Sequence, residues 1–284
     1  MTPDAVPDTG AGLSFADSGE QRPKFSWRLI PAAGVSASAV LFFFAGMPII
    51  GYVVLAASLV LAFILDRDLF VSLLLISIGL TIISRISVAA DISWFNIALM
   101  GSVLAIAVAS PYLLERFVFN RRTIRFPIRR KQKWSVLEKA YLPVVLLLGW
   151  VLLPPYFIGT GIYHNWPAIH APNELGRLLV GVSYVGIWDE LFFICTVFAL
   201  MRRHFPIWQA NILQAVIFVS FLWELGYQGL GPLLTAPFAL IQAYIFTRTR
   251  SLTYVVVVHL LFDVIVYLVL VHGHNPSWWS IFLY

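Results

Sequence analysis

The sequence predicts an all-α fold, a polytopic bundle of about eight or nine transmembrane helices. Three observations predict it. Hydrophobic residues make up 60% of the 284 residues and charged ones only 12%, a balance that excludes an ordinary soluble domain. Uncharged apolar runs recur at lengths near the ~20 residues that cross a bilayer. The basic residues fall in clusters between alternate runs, the arrangement that sets membrane orientation.

The elements follow in order. Residues 1–28 form a polar tail, in which Met1 to Gln21 is rich in Pro, Gly, Asp and Ser and is predicted to be disordered, with no cleavable signal pattern. Residues 29–118 hold a first group of spans, Leu29 to Met47, Ile49 to Leu65, Leu69 to Ser84 and Trp94 to Phe117. The first three are short for a span and invite tilting or re-entry. Asp66, Arg67 and Asp68 make a tight turn between the second and third. Residues 119–139 form a basic loop, and its stretch NRRTIRFPIRRKQK reads as a positive-inside loop with a share in binding anionic head groups. Residues 140–284 hold the second group: Ala140 to Ile158, Leu175 to Met201, Trp208 to Leu225, Leu233 to Phe246 and Leu252 to Val271.

The formal net charge of +5 belongs to this topology and not to nucleic-acid binding. Arg22, Lys24, Arg28, the 120–133 stretch, Arg202, Arg203, Arg248 and Arg250 fall on one side, and Arg85 and Arg177 on the other. The rule then puts the amino terminus in the cytoplasm and the carboxyl terminus outside, with the cell membrane as the host bilayer. The loop Gly159 to Asn173, with Tyr163, His164, Trp166 and His170, and the terminal PSWWSIFLY suit an interfacial aromatic belt. His164 and His170 could bind a metal, though His-x5-His on a loop is a weak signal on ligand count, and His272 and His274 read as interfacial. The single Cys195 lies in an apolar run and reads as an inert small hydrophobe.

Against this background the intramembrane acids stand out. Asp189 and Glu190 sit in GVSYVGIWDELFFICTVFALM, Glu224 in VIFVSFLWELG, and His259 and Asp263 in VVVVHLLFDVIVYLVLV. An ionisable side chain at bilayer depth costs several kcal/mol unless paired or hydrated, so such residues are functional candidates. At the helical rise, Asp189, Glu190, His259 and Asp263 share a level ~20 Å from the basic end, with Glu224 somewhat farther out. His259 and Asp263, four apart, stack on one helix face; Asp189 and Glu190 point roughly 100° apart. Ser183, Tyr184, Gln214, Ser220, Trp223, Tyr227, Gln228 and Gln242 offer further polar lining. A packing network alone accounts poorly for four carboxyls, because like charges in low dielectric oppose one another. Three chemistries remain: water activation by a carboxylate base, a divalent metal such as zinc held by Glu190, Glu224, His259 and Asp263, and a proton or cation relay in a transporter.

The last hundred or so residues resemble the CPBP family of intramembrane endopeptidases (CAAX protease and bacteriocin-processing, also called Abi). Its three motifs, EExxxR, FxxxH and HxxxN or HxxxD, lie on successive membrane helices. Here DELFFI, Asp189 to Ile194, stands at the first, SFLWE, Ser220 to Glu224, at the second, and HLLFD, His259 to Asp263, at the third. The resemblance implies that Asp189 and Glu190, with Glu224 in place of the second-motif histidine, bear the base function. It implies that His259 polarises the scissile carbonyl and that Asp263 takes the Asn position beside it. Asp for the first Glu, Ile194 for the Arg and Ser220 for the Phe are departures. The implied activity is hydrolysis of a peptide bond in a membrane-associated or prenylated peptide or protein, with the bilayer as the other partner. A catalytically inactive membrane scaffold and a proton- or cation-coupled transporter are the rival readings.

Overall fold

The computed structural model describes residues 26–128, 133–278 and 281–282; the predicted disordered tail, Met1 to Gln21, lies outside them. Among the described residues nine long helices follow in order: α1 Leu29–Phe44, α2 Pro48–Leu65, α3 Arg67–Ile83, α4 Trp94–Val118, α5 Val136–Phe157, α6 Pro172–Arg202, α7 Ile207–Leu225, α8 Gly231–Thr249 and α9 Leu252–His274. Among the described residues there is no strand. Every apolar run read from the sequence is one of these helices. Six of them, α2, α4, α5, α6, α7 and α9, are long and apolar enough to cross a membrane. The other three are shorter, as α1 and α3 are, or interrupted by polar residues, as α8 is by Thr235, Gln242 and Arg248.

Helix starts have local causes. Asp66 caps α3, its carboxylate accepting the backbone N–H groups of Asp68 and Leu69. Ser135 and Glu138 form a reciprocal capping box at α5, and Ser251 caps α9 through the Tyr254 N–H. Proline stands in the first turn of α2, α6 and α8, where its missing N–H costs nothing.

Between the helices, polar side chains reach across to backbone carbonyls, which is how a bundle in lipid is joined where hydrophobic burial gives little drive. Ser36 of α1 donates to Leu213 O of α7, Trp188 of α6 to Leu104 O of α4, and Asn211 of α7 to Leu240 O of α8. Tyr254 of α9 donates to Glu138 O of α5. At Gly79 of α3 an added Cβ would lie 2.3 Å from Phe192, so only glycine lets α3 meet the aromatic face of α6. There Trp188, Phe192, Phe193, Phe218 and Phe221 pack ring against ring and fill the core between α6 and α7.

The two ends of the bundle differ. At one end Asp68 holds Arg121 at 2.5 Å and Arg203 through two oxygens at 2.8 and 3.1 Å, and Arg28 pairs with Asp66 at 2.8 Å. Burial works against the Asp68 carboxylate, but the hydrogen bond from Arg203 and the charges of Arg121 and Arg203 outweigh it and hold its carboxyl below the usual range. His204 is buried beside them and bonds Ser72 Oγ at 2.9 Å. Its burial outweighs the pull of Asp68 and lowers its pKa to about 4. Thr253 and Leu252 bond the carbonyls of Ile128 and Pro127, so the loop before α9 shares this basic end. At the other end Asn165 bonds Gly226 O, Tyr156 bonds Gln228 O and Asn275 bonds Ile169 O. The described members of the basic clusters, among them Arg28, Arg121 and Arg203, therefore gather at one face of the bundle, while Arg22, Lys24 and residues 129–131 lie outside the described residues.

Candidate active site

α6 carries the first acids, and its geometry changes where they occur. From Pro172 to Asp189 it is α-helical; from Glu190 to Phe198 it widens to a π-helix, with Thr196 Oγ1 donating to the carbonyl five residues back, Leu191 O. Such widened turns occur often at functional sites. Asp189 lines a cavity, whereas Glu190 turns toward α8 and α9. Both are buried.

His259 of α9 is the centre of the arrangement. Its Nδ1 lies 2.7 Å from Glu190 Oε1, and Gln242 Nε2 donates to the same oxygen at 2.7 Å. An oxygen that takes the Gln242 N–H acts as acceptor, so the network places a proton on His259 Nδ1, and Nε2 is the nitrogen turned toward the cavity. Nε2 lies 3.8 Å from Asp189 Oδ2 and 3.8 Å from Asp263 Oδ1. That is too long for a hydrogen bond and close enough for one water to touch all three groups. Asp189 Oδ1 and Asp263 Oδ2 are buried without a protein partner. Unpaired carboxyl oxygens beside a cavity are what a bound water or a polar ligand would satisfy.

The surroundings hold His259 in place. Phe238 meets its ring edge-on at 4.8 Å. Gly186, one turn before Glu190, faces the acids: an added Cβ would sit 2.0 Å from Asp263 Oδ2 and 3.3 Å from His259 Cδ2. The third-motif pair thus packs against bare α6 backbone. The sequence reading did not single out Gly186; its position three residues before Asp189, on the same helix face, was the available signal. Gln242, read only as lining, is a direct partner of Glu190.

The five predicted residues do not all converge. Asp189, Glu190, His259 and Asp263 come together. Glu224 stands apart, half-buried near the carboxyl-terminal end of α7, where it accepts the Val88 N–H at 3.3 Å and anchors the 84–93 loop. Helix geometry is the cause: Leu222 and Leu225 line the cavity, and Glu224, two residues from Leu222, faces about 200° away. The pair Phe218 and Leu222 has the FxxxH spacing with its Phe present, and Phe218 lies 6.3 Å from the His259 ring. On that register Leu222 occupies the second-motif histidine position.

The metal set expected from Glu190, Glu224, His259 and Asp263 is not assembled as a unit. Glu224 is elsewhere, and Glu190 Oε1 already serves two nitrogen donors. Among the described residues no group of three or more His, Cys, Asp or Glu side chains is arranged to hold a metal ion. Tyr184 and Tyr227 line the cavity as predicted. Gln214 instead bonds Asn211 and Ala239 O, Ser220 bonds Val216 O, and Trp223 packs at a tilt against Phe44.

A polytopic helical membrane protein with acids and a histidine converging from α6 and α9 is the class that fold and site define. Residues 171–265 match the family model described as Type II CAAX prenyl endopeptidase Rce1-like. The match bears out the resemblance to the CPBP family read from the motifs, and spans α6, α7, α8 and the first half of α9. No curated protein and no solved structure matches the chain.

Proposed function

We propose that the chain is an intramembrane endopeptidase of the CAAX-protease type, hydrolysing a peptide bond in a membrane-associated peptide or protein. The single observation that carries this reading is His259, with Nδ1 held by Glu190 at 2.7 Å and Nε2 between Asp189 and Asp263 beside the cavity. An imidazole oriented by a buried carboxylate, with its other nitrogen open, is the arrangement of a general base. A water touching Nε2 and Asp189 attacks the carbonyl carbon, and its proton passes to Nε2. Glu190 stabilises the imidazolium. Asp263, in its protonated form, donates to the carbonyl oxygen as negative charge grows there. The C–N bond then breaks, and the proton returns from His259 to the leaving amine. In this scheme Glu190 is a positioning residue and Glu224 supports the outer loop.

Leu222 favours a second reading, a scaffold that binds a membrane peptide without cutting it, because a leucine lines the cavity where the family motif has histidine. Purified protein in lipid vesicles, mixed with quenched fluorescent peptides carrying an apolar anchor, separates the two. Cleavage lost in both Asp189→Asn and His259→Ala supports the protease. Binding without cleavage in the unaltered protein supports the scaffold.

A further inference from the structure

The carboxyl-terminal end of α7 is built to fix one side chain. Gly226 ends the helix with a φ of +133°, and a Cβ there would lie 2.9 Å from the Trp166 ring, so the position needs glycine twice over. The Gly226 N–H donates to Trp223 O at 3.2 Å and the Tyr227 N–H to Leu222 O at 2.9 Å. Those two bonds are the Schellman stop, which sets the direction of the residue after the glycine. Tyr227 is thereby tied to the carbonyl of Leu222, the residue in the second-motif histidine position. Phe157 and Trp166 meet its ring edge-on at 5.7 and 5.1 Å.

Tyr227 lines the cavity with Asp189, His259 and Asp263. Its hydroxyl is near enough to Asp263 and Asp189 to feel their charges, that of Asp263 more strongly. A buried tyrosine hydroxyl usually finds a hydrogen-bond partner. Among the described residues this one has none. The neighbouring tyrosines differ: Tyr184 donates to Gly101 O at 2.6 Å and Tyr156 to Gln228 O at 2.9 Å. Leu222 lines the same wall without a polar atom.

The cavity measures about 70 Å³ and holds only a few waters. The Tyr227 hydroxyl therefore shares one small pool with Asp189 Oδ1 and Asp263 Oδ2, which also lack protein partners. A phenol, with an ordinary pKa near 10, keeps its proton at neutral pH and stays a donor. In the scheme above, the carbonyl oxygen gains charge against a single donor, protonated Asp263. Sites that stabilise such an oxyanion present more than one donor to it.

We propose that Tyr227 is a further catalytic residue, whose O–H is the second donor to the carbonyl oxygen as the tetrahedral intermediate forms. The O–H bond does not break. The proton of the attacking water still passes to His259 Nε2 and from there to the leaving amine. This deepens the protease reading and rests on it for the cutting step.

Tyr227→Phe removes the hydroxyl and keeps the ring with its Trp166 and Phe157 contacts. In vesicles, with an anchored peptide as substrate, kcat should fall by about 10²- to 10³-fold, the effect of losing one oxyanion donor. KM should stay within about threefold, and the melting temperature in detergent should not change. A kcat within about threefold of the unaltered chain, or a fall matched by lost stability, overturns the proposal. A second measurement needs no turnover, so its failure is distinct from failure of the protease reading. An anchored peptide trifluoromethyl ketone, present in water as its tetrahedral hydrate, should bind the unaltered protein more tightly than the matching amide peptide. In Tyr227→Phe that preference should shrink about tenfold, the scale of one hydrogen bond. An equal preference in both chains, or none in the unaltered protein, overturns the proposal. A preference that Tyr227→Phe removes, in a protein that cuts no peptide, sinks the protease reading and still places the hydroxyl at the tetrahedral centre.

Discussion

His259 Nδ1 lies 2.7 Å from Glu190 Oε1, so the second of the two adjacent acids on α6 meets the histidine from behind while the first meets the cavity. Adjacent residues on a helix point in different directions, and here the two directions separate orientation from chemistry. Glu190→Gln keeps the shape but removes the charge that fixes the tautomer and stabilises the imidazolium. Cleavage should fall by about 10²- to 10⁴-fold with the fold retained, since a tautomer-fixing acid has effects of that order. The check is kcat on an anchored peptide together with thermal unfolding in detergent. A variant within threefold of the unaltered rate removes Glu190 from this role.

Gly186 gives a second prediction. Ala at this position favours the helix by up to about 1 kcal/mol. Its methyl, however, would stand 2.0 Å from Asp263 Oδ2, so the carboxyl must rotate away. Gly186→Ala should therefore lose about 10²-fold in activity, the scale of a displaced reacting group, while its melting temperature holds or rises. In a double-mutant cycle, Gly186→Ala should cost little further in an Asp263→Ala background. Additive losses would show that the glycine acts elsewhere.

Two residues on α7 should respond in opposite ways. Glu224→Gln still offers an oxygen to the Val88 N–H, so activity should stay within about threefold; Glu224→Ala should make the 84–93 loop more susceptible to protease. Leu222→His places an imidazole on the cavity wall beside Asp189 and should raise the rate of cleavage. A strong loss in Glu224→Gln would instead put that carboxyl in the chemistry.

The basic end has its own pH dependence. His204 has a pKa of about 4 in the folded chain and 6.5 when free. Between those values the unfolded chain takes up a proton that the native chain refuses. Stability therefore falls as pH drops from 6.5 toward 4, by up to about 3 kcal/mol. Asp68, held below its usual range, loses its stabilising charge only at lower pH. Melting temperatures at pH 7.5 and 5 should differ in the unaltered protein and differ less in His204→Gln.

Much of this was legible beforehand because each signal was local. All nine helices appear as apolar runs, since a membrane helix satisfies its own backbone and needs no partner to exist. The convergence of Asp189, Glu190, His259 and Asp263 followed from depth counted along straight helices and from four-residue spacing. The facing of Glu224 did not, because depth says nothing of rotation: Leu222 and Glu224 differ by ~3 Å in height and by about half a turn in direction. The widened turn from Glu190 to Phe198 was also hidden, for the rings that fill it come from α6 and α7 together. Gly186 needed the position of Asp263, a residue 77 places away, to acquire meaning.

Asp68 joins Arg121, just beyond α4, to Arg203, just beyond α6, at the basic face. These are the two helices that part around the cavity at the opposite face. The pair is pinned at the ion pairs and joined again partway along by the Tyr184 and Trp188 bonds, and beyond these Asn96 and Ile97 of α4 and Gly181 and Val182 of α6 line the cavity. Changing the pin at Asp68 would therefore be felt at the cavity only through two hydrogen bonds and the rings between them.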